Sequence, residues 1–420
     1  MSGPADQADK VDLLGSRDVR RFLRPMMQKR QRMNLREALP LAGITVSTFI
    51  FCTSEFMPVA LLTDIALSFS VTESQAGMLI SVYAWMVMLL SLPLMIAASR
   101  IGFRRLFLII VALFAFGQLL SSLATSYFML MAARIVVACA HAIFWSIAPP
   151  MAVRVVSEDH RHMALGMVVM GESVALIAGL PLGRVIGLAL GWRMTFACVA
   201  IITVIIFIYL YFVLPAIPAT KPFSVRRLPV LFKTKTLRSL YLFVGVMMTA
   251  YYMCYSYIEP YLLQSVGLEE QTVTVVIAFF GVAGILGSVL FSKIYARQRV
   301  KFLCGCLLGL VTAFFVLFVS QEFLIGVLGA CVVLGMGSTA MNAALQSEVI
   351  RYSSLDDQAV ATSIFSAIFN FGIGSGSALG GVVTSCVSVG SIGAAAGALG
   401  LVAFLYCVIV LIPRLRIART

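Results

Sequence analysis

Apolar runs of about twenty residues recur along almost the whole chain, and this recurrence restricts what the sequence can fold into. A helix rises 1.5 Å per residue, so about 20 apolar residues cross a hydrocarbon core roughly 30 Å thick. Twelve such runs can be marked, at residues 40–64, 75–98, 105–125, 128–151, 163–189, 194–214, 238–262, 272–292, 302–320, 323–347, 359–385 and 390–412. Hydrophobic residues make up 61% of the 420 and charged residues 12%, well beyond the roughly 45–50% apolar share of a soluble domain. The expected fold class is therefore an all-α integral membrane protein with twelve transmembrane helices.

The net charge of +13 could suggest a nucleic-acid partner, but the placement of the basic residues marks topology instead. Lys10, Arg17, Arg20, Arg21, Arg24, Lys29, Arg30, Arg32 and Arg36 precede the first span, and Arg100, Arg104 and Arg105 follow the second. Arg154 and Arg161, the segment Lys221 to Arg238, Lys293 to Lys301, Arg351, and Arg414, Arg416 and Arg419 each follow an even-numbered span. Of the opposite ends, only those of spans 5 and 6 carry nearby basic residues, Arg184 and Arg193. The positive-inside rule then puts both termini in the cytoplasm. Residues 1–36 lack the apolar core of a secretory signal and read as a mobile basic tail, with Met33 a second plausible start. Nine scattered cysteines imply no disulfide framework, and Cys304 and Cys306, without a second ligand pair, read as apolar filler rather than a metal site.

The longest polar break, with four prolines, runs from Pro215 to Ser239 and splits the chain six plus six. The expected units are a six-helix repeat at 37–214, a cytoplasmic linker at 215–237, a second repeat at 238–413 and a tail at 414–420. Short echoes support the repeat: Ser99-Arg100-Ile101 matches Ser292-Lys293-Ile294, and Leu182–Ile186 resembles Leu379–Val383. Transporters built from two repeats bind substrate near the midplane between them. Gly372, Gly374, Gly376, Gly380 and Gly381, like Gly281, Gly284 and Gly287, lack the strand that a phosphate loop needs before it. Such spacing suits close helix packing or bending. No HExxH, GxSxG or GxxxxGK[ST] pattern is present, so neither an enzyme nor a nucleotide-driven pump is expected, and no cofactor is implied.

The polar residues at membrane depth are the functional candidates, because burying an ion there costs about 2.5–3.5 kcal/mol on insertion scales. Glu55 in span 1 and Arg134 in span 4 sit at compatible depths, roughly 13 and 9 Å from the outer ends, and should face one another or share a cavity. His141 and Trp145, seven and eleven residues beyond Arg134, share its helix face. His141 and Glu172 of span 5 also lie at similar depth, which makes them either a second proton site or hydrogen-bonded structure. In span 7, Tyr252, Tyr255 and Glu259 fall on one face. Tyr252 and Tyr255 read as cavity residues, whereas Tyr257 and Tyr261 read as an interfacial belt. Asn342 and Asn370 could hydrogen-bond a polyol or bridge helices.

These residues resemble the major facilitator superfamily, its drug:proton antiporter branch and, within that, the bacterial sugar efflux transporters. "TSEFMPVALLTDIA" (53–66), "RIVVACAHAIFWS" (134–146), "GLPLGR" (179–184), "GWRMTF" (191–196) and "SYIEP" (256–260) carry the likeness, over roughly residues 37–413. The resemblance implies that Glu55 is the proton-coupling carboxylate, that Arg134 is the membrane arginine, and that Gly179, Pro181 and Gly183 form the antiporter motif bend. One departure is Ser99, where the superfamily's loop normally carries an aspartate. Another is Glu172, which matches no family motif.

The expected function is then proton-coupled export of a small neutral sugar or related compound across a bacterial inner membrane. The proton-coupling candidates are Glu55, Arg134, His141 and Glu172, and the substrate contacts are Trp145, Tyr252, Tyr255, Asn342 and Asn370. A multi-pass protein, functional as a monomer, that meets only substrate, protons and lipid, with no metal or nucleic acid, is the expectation. Multidrug efflux on the same scaffold is the alternative, and a transport-dead sensor a remote one.

Overall fold

The computed structural model describes residues 33–98, 101–216, 234–353 and 358–417. Most of the N-terminal tail, Ser99 and Arg100, and all but the ends of the linker lie outside the described residues. Every regular element described is helical. The helices are α1 (Leu35–Ala60), α2 (Leu62–Phe69), α3 (Glu73–Ala98), α4 (Phe103–Ser122), α5 (Tyr127–Arg154), α6 (Arg161–Val174), α7 (Leu180–Leu190) and α8 (Trp192–Val213). They are followed by α9 (Lys235–Tyr255), α10 (Glu270–Leu290), α11 (Ala296–Val319), α12 (Leu324–Arg351), α13 (Gln358–Cys386), α14 (Ile392–Tyr406) and α15 (Ile412–Ile417). Eleven helical stretches among the described residues are long and apolar enough to cross a membrane. One of them, Glu270–Val319, is 50 residues long and contains Gln298 in a non-helical conformation (φ −136°, ψ 48°).

Proline chemistry explains where the long helices change character. A proline lacks the N–H owed to the carbonyl four residues back and crowds that carbonyl. Ahead of Pro181 the chain passes through a π-helical turn, Ala175–Gly179, that joins α6 to α7, and Gly179, Pro181 and Gly183 stand at this junction. Ahead of Pro260, α9 stops at Tyr255, and Tyr257 is non-helical (φ −115°, ψ 18°). Glu259 therefore does not continue the face of Tyr252 and Tyr255, as unbroken periodicity had suggested. It sits on a separate turn, Ile258–Pro260.

The apolar core forms two clusters. One contains residues from Leu41 to Leu214, and the other is built chiefly from Leu237 to Leu415, with Val59, Ala60, Leu62, Ala66, Ala76, Ile80, Ala84 and Leu180 added from the first half. Glycine makes the closest helix approaches. A Cβ on Gly376 would lie 2.5 Å from the Thr249 carbonyl oxygen of α9, and one on Gly374 would lie 2.5 Å from the Trp85 ring of α3. The backbone of α13 can reach both neighbours only because these positions lack side chains.

Bonds between the two halves gather toward one end of the bundle. Ser377 Oγ donates to the Gly77 carbonyl (3.1 Å), Trp85 Nε1 donates to Ser375 Oγ (3.4 Å), and Gln264 Nε2 donates to Glu73 Oε1. Tyr257 and Tyr261 are fully buried there. Tyr257 packs against Gly77, Gly380 and Gly381, and Tyr261 donates to the Leu317 carbonyl (2.5 Å). The interfacial belt expected for these two tyrosines is thus replaced by a packing role, Tyr257 against α3 of the opposite half and Tyr261 against α11 of its own.

Candidate functional site

Pro58 also determines what surrounds Glu55. It removes the intrahelical donor that the Ser54 carbonyl would otherwise receive, and Arg134 of α5 supplies the replacement. Arg134 Nη1 donates to Ser54 O (3.0 Å) and Ser54 Oγ (3.3 Å), and Nη2 donates to the Glu55 carbonyl (3.3 Å). Its guanidinium carbon lies 4.2 Å from the centre of the Tyr83 ring, and Gln118 Nε2 donates to Ser54 Oγ. Arg134 and Glu55 therefore share a site, but the contact runs through backbone oxygens rather than a carboxylate ion pair. A buried guanidinium with five donors needs such a set of acceptors, and Arg134 is 1% exposed.

The Glu55 carboxylate points to His141. Glu55 Oε2 lies 3.5 Å from His141 Nε2. His141 Nδ1 is 2.6 Å from Tyr83 Oη, and Trp145 Nε1 donates to His141 Nε2 at 2.8 Å. Glu172 does not pair with His141. It lies near Glu55, close enough for the two carboxylates to interact electrostatically, and is partly buried. Glu55 keeps 11% of its side-chain exposure, and Trp145, Phe56 and Tyr255 are likewise only partly buried. The ring of Phe56 lies 6.3 Å from Tyr252 and 6.4 Å from Tyr255 of the opposite half, and Tyr252 meets Tyr255 edge-on at 5.9 Å. An ionisable pair is thus set beside an aromatic surface contributed by both halves. Asn370 donates to the Ser366 carbonyl of its own helix (3.0 Å), and the Oδ1 atoms of Asn342 and Asn370 are buried without a partner. Neither oxygen bridges helices, and both are enclosed in this conformation.

The bend positions bring α7 and its π turn onto α1. A Cβ at Gly179 would fall 3.0 Å from Thr53 Cβ, and Gly183 faces Met57 and Thr195. Glu55 lies between these contacts in sequence.

A second ionic cluster, which the sequence did not reveal as such, joins the halves. Arg184 Nη1 donates to Glu259 Oε1 (2.8 Å) and to the Ala60 carbonyl (2.5 Å), and both side chains are 1% exposed. Thr63 donates from its hydroxyl (2.8 Å) and its backbone N–H (3.3 Å) to Glu259 Oε2, and its hydroxyl also lies 3.2 Å from Glu73 Oε1. A third cluster lies within the second half, where Arg299 and Tyr295 bind the fully buried Glu348. A surface groove of about 750 Å³, separate from all of these, lies between α4 and α8 beside Arg104, Arg105 and Tyr211. No group of His, Cys, Asp and Glu among the described residues could hold a metal ion.

A many-helix membrane bundle with charged residues between two halves is the architecture of a secondary transporter. The Major Facilitator Superfamily model matches residues 44–354 and 242–419. A protein of Helicobacter pylori strain G27 named "Probable sugar efflux transporter" is 38% identical over 362 residues, 86% of this chain and 92% of its own. One of the same name from Mannheimia succiniciproducens is 36% identical over 391 residues, covering 93% and 98%. Among solved structures, a bacterial homolog of the human lysosomal transporter Spinster, inward-facing and unoccupied, superposes with a TM-score of 0.71 at 16% identity over 91% of this chain and 96% of that one. The human organic anion transporter MFSD10 gives 0.65 at 14% identity, covering 88% and 98%. The chain belongs to the Major Facilitator Superfamily. It is a multi-pass membrane transporter of a small molecule, not an enzyme.

Proposed function

We propose that this protein exports a small neutral sugar or a related compound from a bacterial cytoplasm by exchanging it for protons, and that it works as a monomer in the inner membrane. The observation that carries this reading is the placement of Glu55, partly exposed among buried polar groups, 3.5 Å from His141 and beside the arginine that binds its backbone. A carboxylate kept at that depth suits a group whose ionisation changes in each cycle. The word sugar rests on the names of relatives at 36–38% identity.

In this reading the 50-residue stretch counts as two crossings divided near Gln298. That gives twelve spans, two six-helix repeats at 37–214 and 238–413, and both termini in the cytoplasm. The end closed by Arg184, Glu259 and Glu73 is then periplasmic, and this conformation receives substrate from the cytoplasm. Substrate meets Trp145, Tyr252 and Tyr255, with the side-chain oxygens of Asn342 and Asn370 accepting from hydroxyl groups. Arg134 holds the backbone of α1 in place. Glu55, with His141 and Glu172 nearby, carries the proton inward as the halves exchange the closed end.

Everted vesicles with an acidic interior test this. Uptake of a labelled pentose should collapse with the proton gradient and in Glu55→Gln, while counterflow exchange persists. Gradient-driven uptake by Glu55→Gln at the wild-type rate would overturn the assignment. The paired aromatic rings Phe56, Tyr252 and Tyr255 favour a second reading, export of amphipathic ring compounds, and uptake of a lipophilic cation alone would select it.

A further inference from the structure

We infer that Trp145 is the residue that makes substrate and proton exclude one another, through competition for the single lone pair on His141 Nε2. The inference rests on the antiport reading above and deepens it. An indole N–H can only donate. Trp145 Nε1 lies 2.8 Å from His141 Nε2, so Nε2 is an unprotonated acceptor, the imidazole is neutral, and its one hydrogen sits on Nδ1, which donates to Tyr83 Oη at 2.6 Å. Nothing more can be added at Nε2 while the indole is docked. Trp145 is four residues after His141, one helical turn away on the same face, so a small ring rotation makes or breaks this bond.

The groups facing His141 define the exchange. Glu55 of α1 lies 3.5 Å from Nε2, Tyr83 of α3 takes Nδ1–H, Arg134 lies on the same helix, and Glu172 stands beyond Glu55. A proton arriving at Nε2, from Glu55 or from water, gives an imidazolium with both nitrogens protonated. Its new N–H turns to the Glu55 carboxylate, and the indole N–H loses its acceptor. In reverse, when the indole docks again the Nε2 proton leaves to Glu55 Oε2 or to water. The docked indole is partly exposed beside Glu55, and substrate stacked on it favours docking and so expels the proton. Because linkage is reciprocal, protonation weakens substrate by the same factor. Competition of this kind is what exchange, rather than cotransport, requires.

The side-chain ¹⁵N shifts of His141, assigned by their loss in His141→Gln, test the inference in purified full-length protein without any transport step. Wild type should show the Nδ1–H tautomer around neutral pH. Trp145→Phe, which keeps a ring and removes the donor, should let His141 take its second proton about 2- to 10-fold more readily, the effect of losing one ordinary hydrogen bond. An Nε2–H tautomer in wild type, or an unchanged titration in Trp145→Phe, overturns it. In parallel, xylose binding should weaken on acidification in wild type and lose that dependence in Trp145→Phe. A wild-type slope in the variant also overturns it. Absence of pentose flux in the vesicle assay would instead count against the function proposed above and leaves the histidine titration readable.

Discussion

Replacing Glu259 with Gln should open the end that Arg184 and Glu259 close, the periplasmic end in the function proposed above. The substitution preserves shape and leaves the fully buried Arg184 with a neutral partner. Breaking one member of a buried ion pair costs about 3–5 kcal/mol, because the remaining charge stays buried. Gln retains one accepting oxygen for Arg184, so the low end, about 3 kcal/mol, is the appropriate figure. The penalty applies to the closed arrangement alone, since separation of the halves exposes Arg184 to water. It therefore acts on the conformational equilibrium, at about 100-fold in population. Ser377, fully buried where it donates to Gly77 across the seam, provides a reporter. In a background lacking the native cysteines, Ser377→Cys should react slowly with an impermeant maleimide added from outside, and about 100-fold faster when Glu259→Gln is added. Labelling rates within threefold of each other would refute the reasoning that this pair holds the end shut.

Arg134→Lys keeps the charge but cannot reach the Ser54 and Glu55 carbonyls together while lying over Tyr83. Transport should fall at least ~10-fold at unchanged expression, from loss of a charged hydrogen bond worth about 1.5–3 kcal/mol, as read by vesicle uptake. Gly376→Ala places a methyl 2.5 Å from the Thr249 oxygen and should lower the melting temperature by about 2–6 °C, from an overpacking cost of about 1–3 kcal/mol, measured by fluorescence-detected size exclusion. Arg299→Gln strands the buried Glu348 carboxylate and should reduce thermal stability more than the double variant Arg299→Gln/Glu348→Gln, in which no charge is left unpaired; the same assay compares them.

The chain's fold class was legible because lipid imposes one demand, sustained apolar length, that composition shows directly. Glu55, Arg134 and His141 were legible for the complementary reason, as each breaks an apolar run. The partners were not. Ser54, Tyr83 and Gln118 are neutral residues that an apolar helix tolerates, and only the geometry shows that they complete the shell around Arg134 and His141. Gln118, a lone amide in the run of α4, was the one available signal. Depth along the helix put His141 level with Glu172 without saying whether they interact; the ring meets Glu55 instead, since depth says nothing about rotation around the helix axis. The Arg184–Glu259 pair was hidden because its members stand 75 residues apart in sequence, and because helical periodicity was carried through Pro260, where the chain actually turns.

The glycines of α13 fall into two sets that serve different ends. Gly372, Gly376 and Gly380, spaced by four, lie against Met248, Thr249 and Met253 of α9 in the same half, whereas Gly374 and Gly381, seven apart, meet Trp85 and Ser74 of α3 in the other. In an alternating carrier the first contact is permanent and the second is remade in every turnover. The same residue type on one helix thus acts as an anchor on one side and a bearing on the other. A methyl added to the anchor should register as lost thermal stability, whereas a methyl at Gly374 should leave the folded protein intact and slow its cycle.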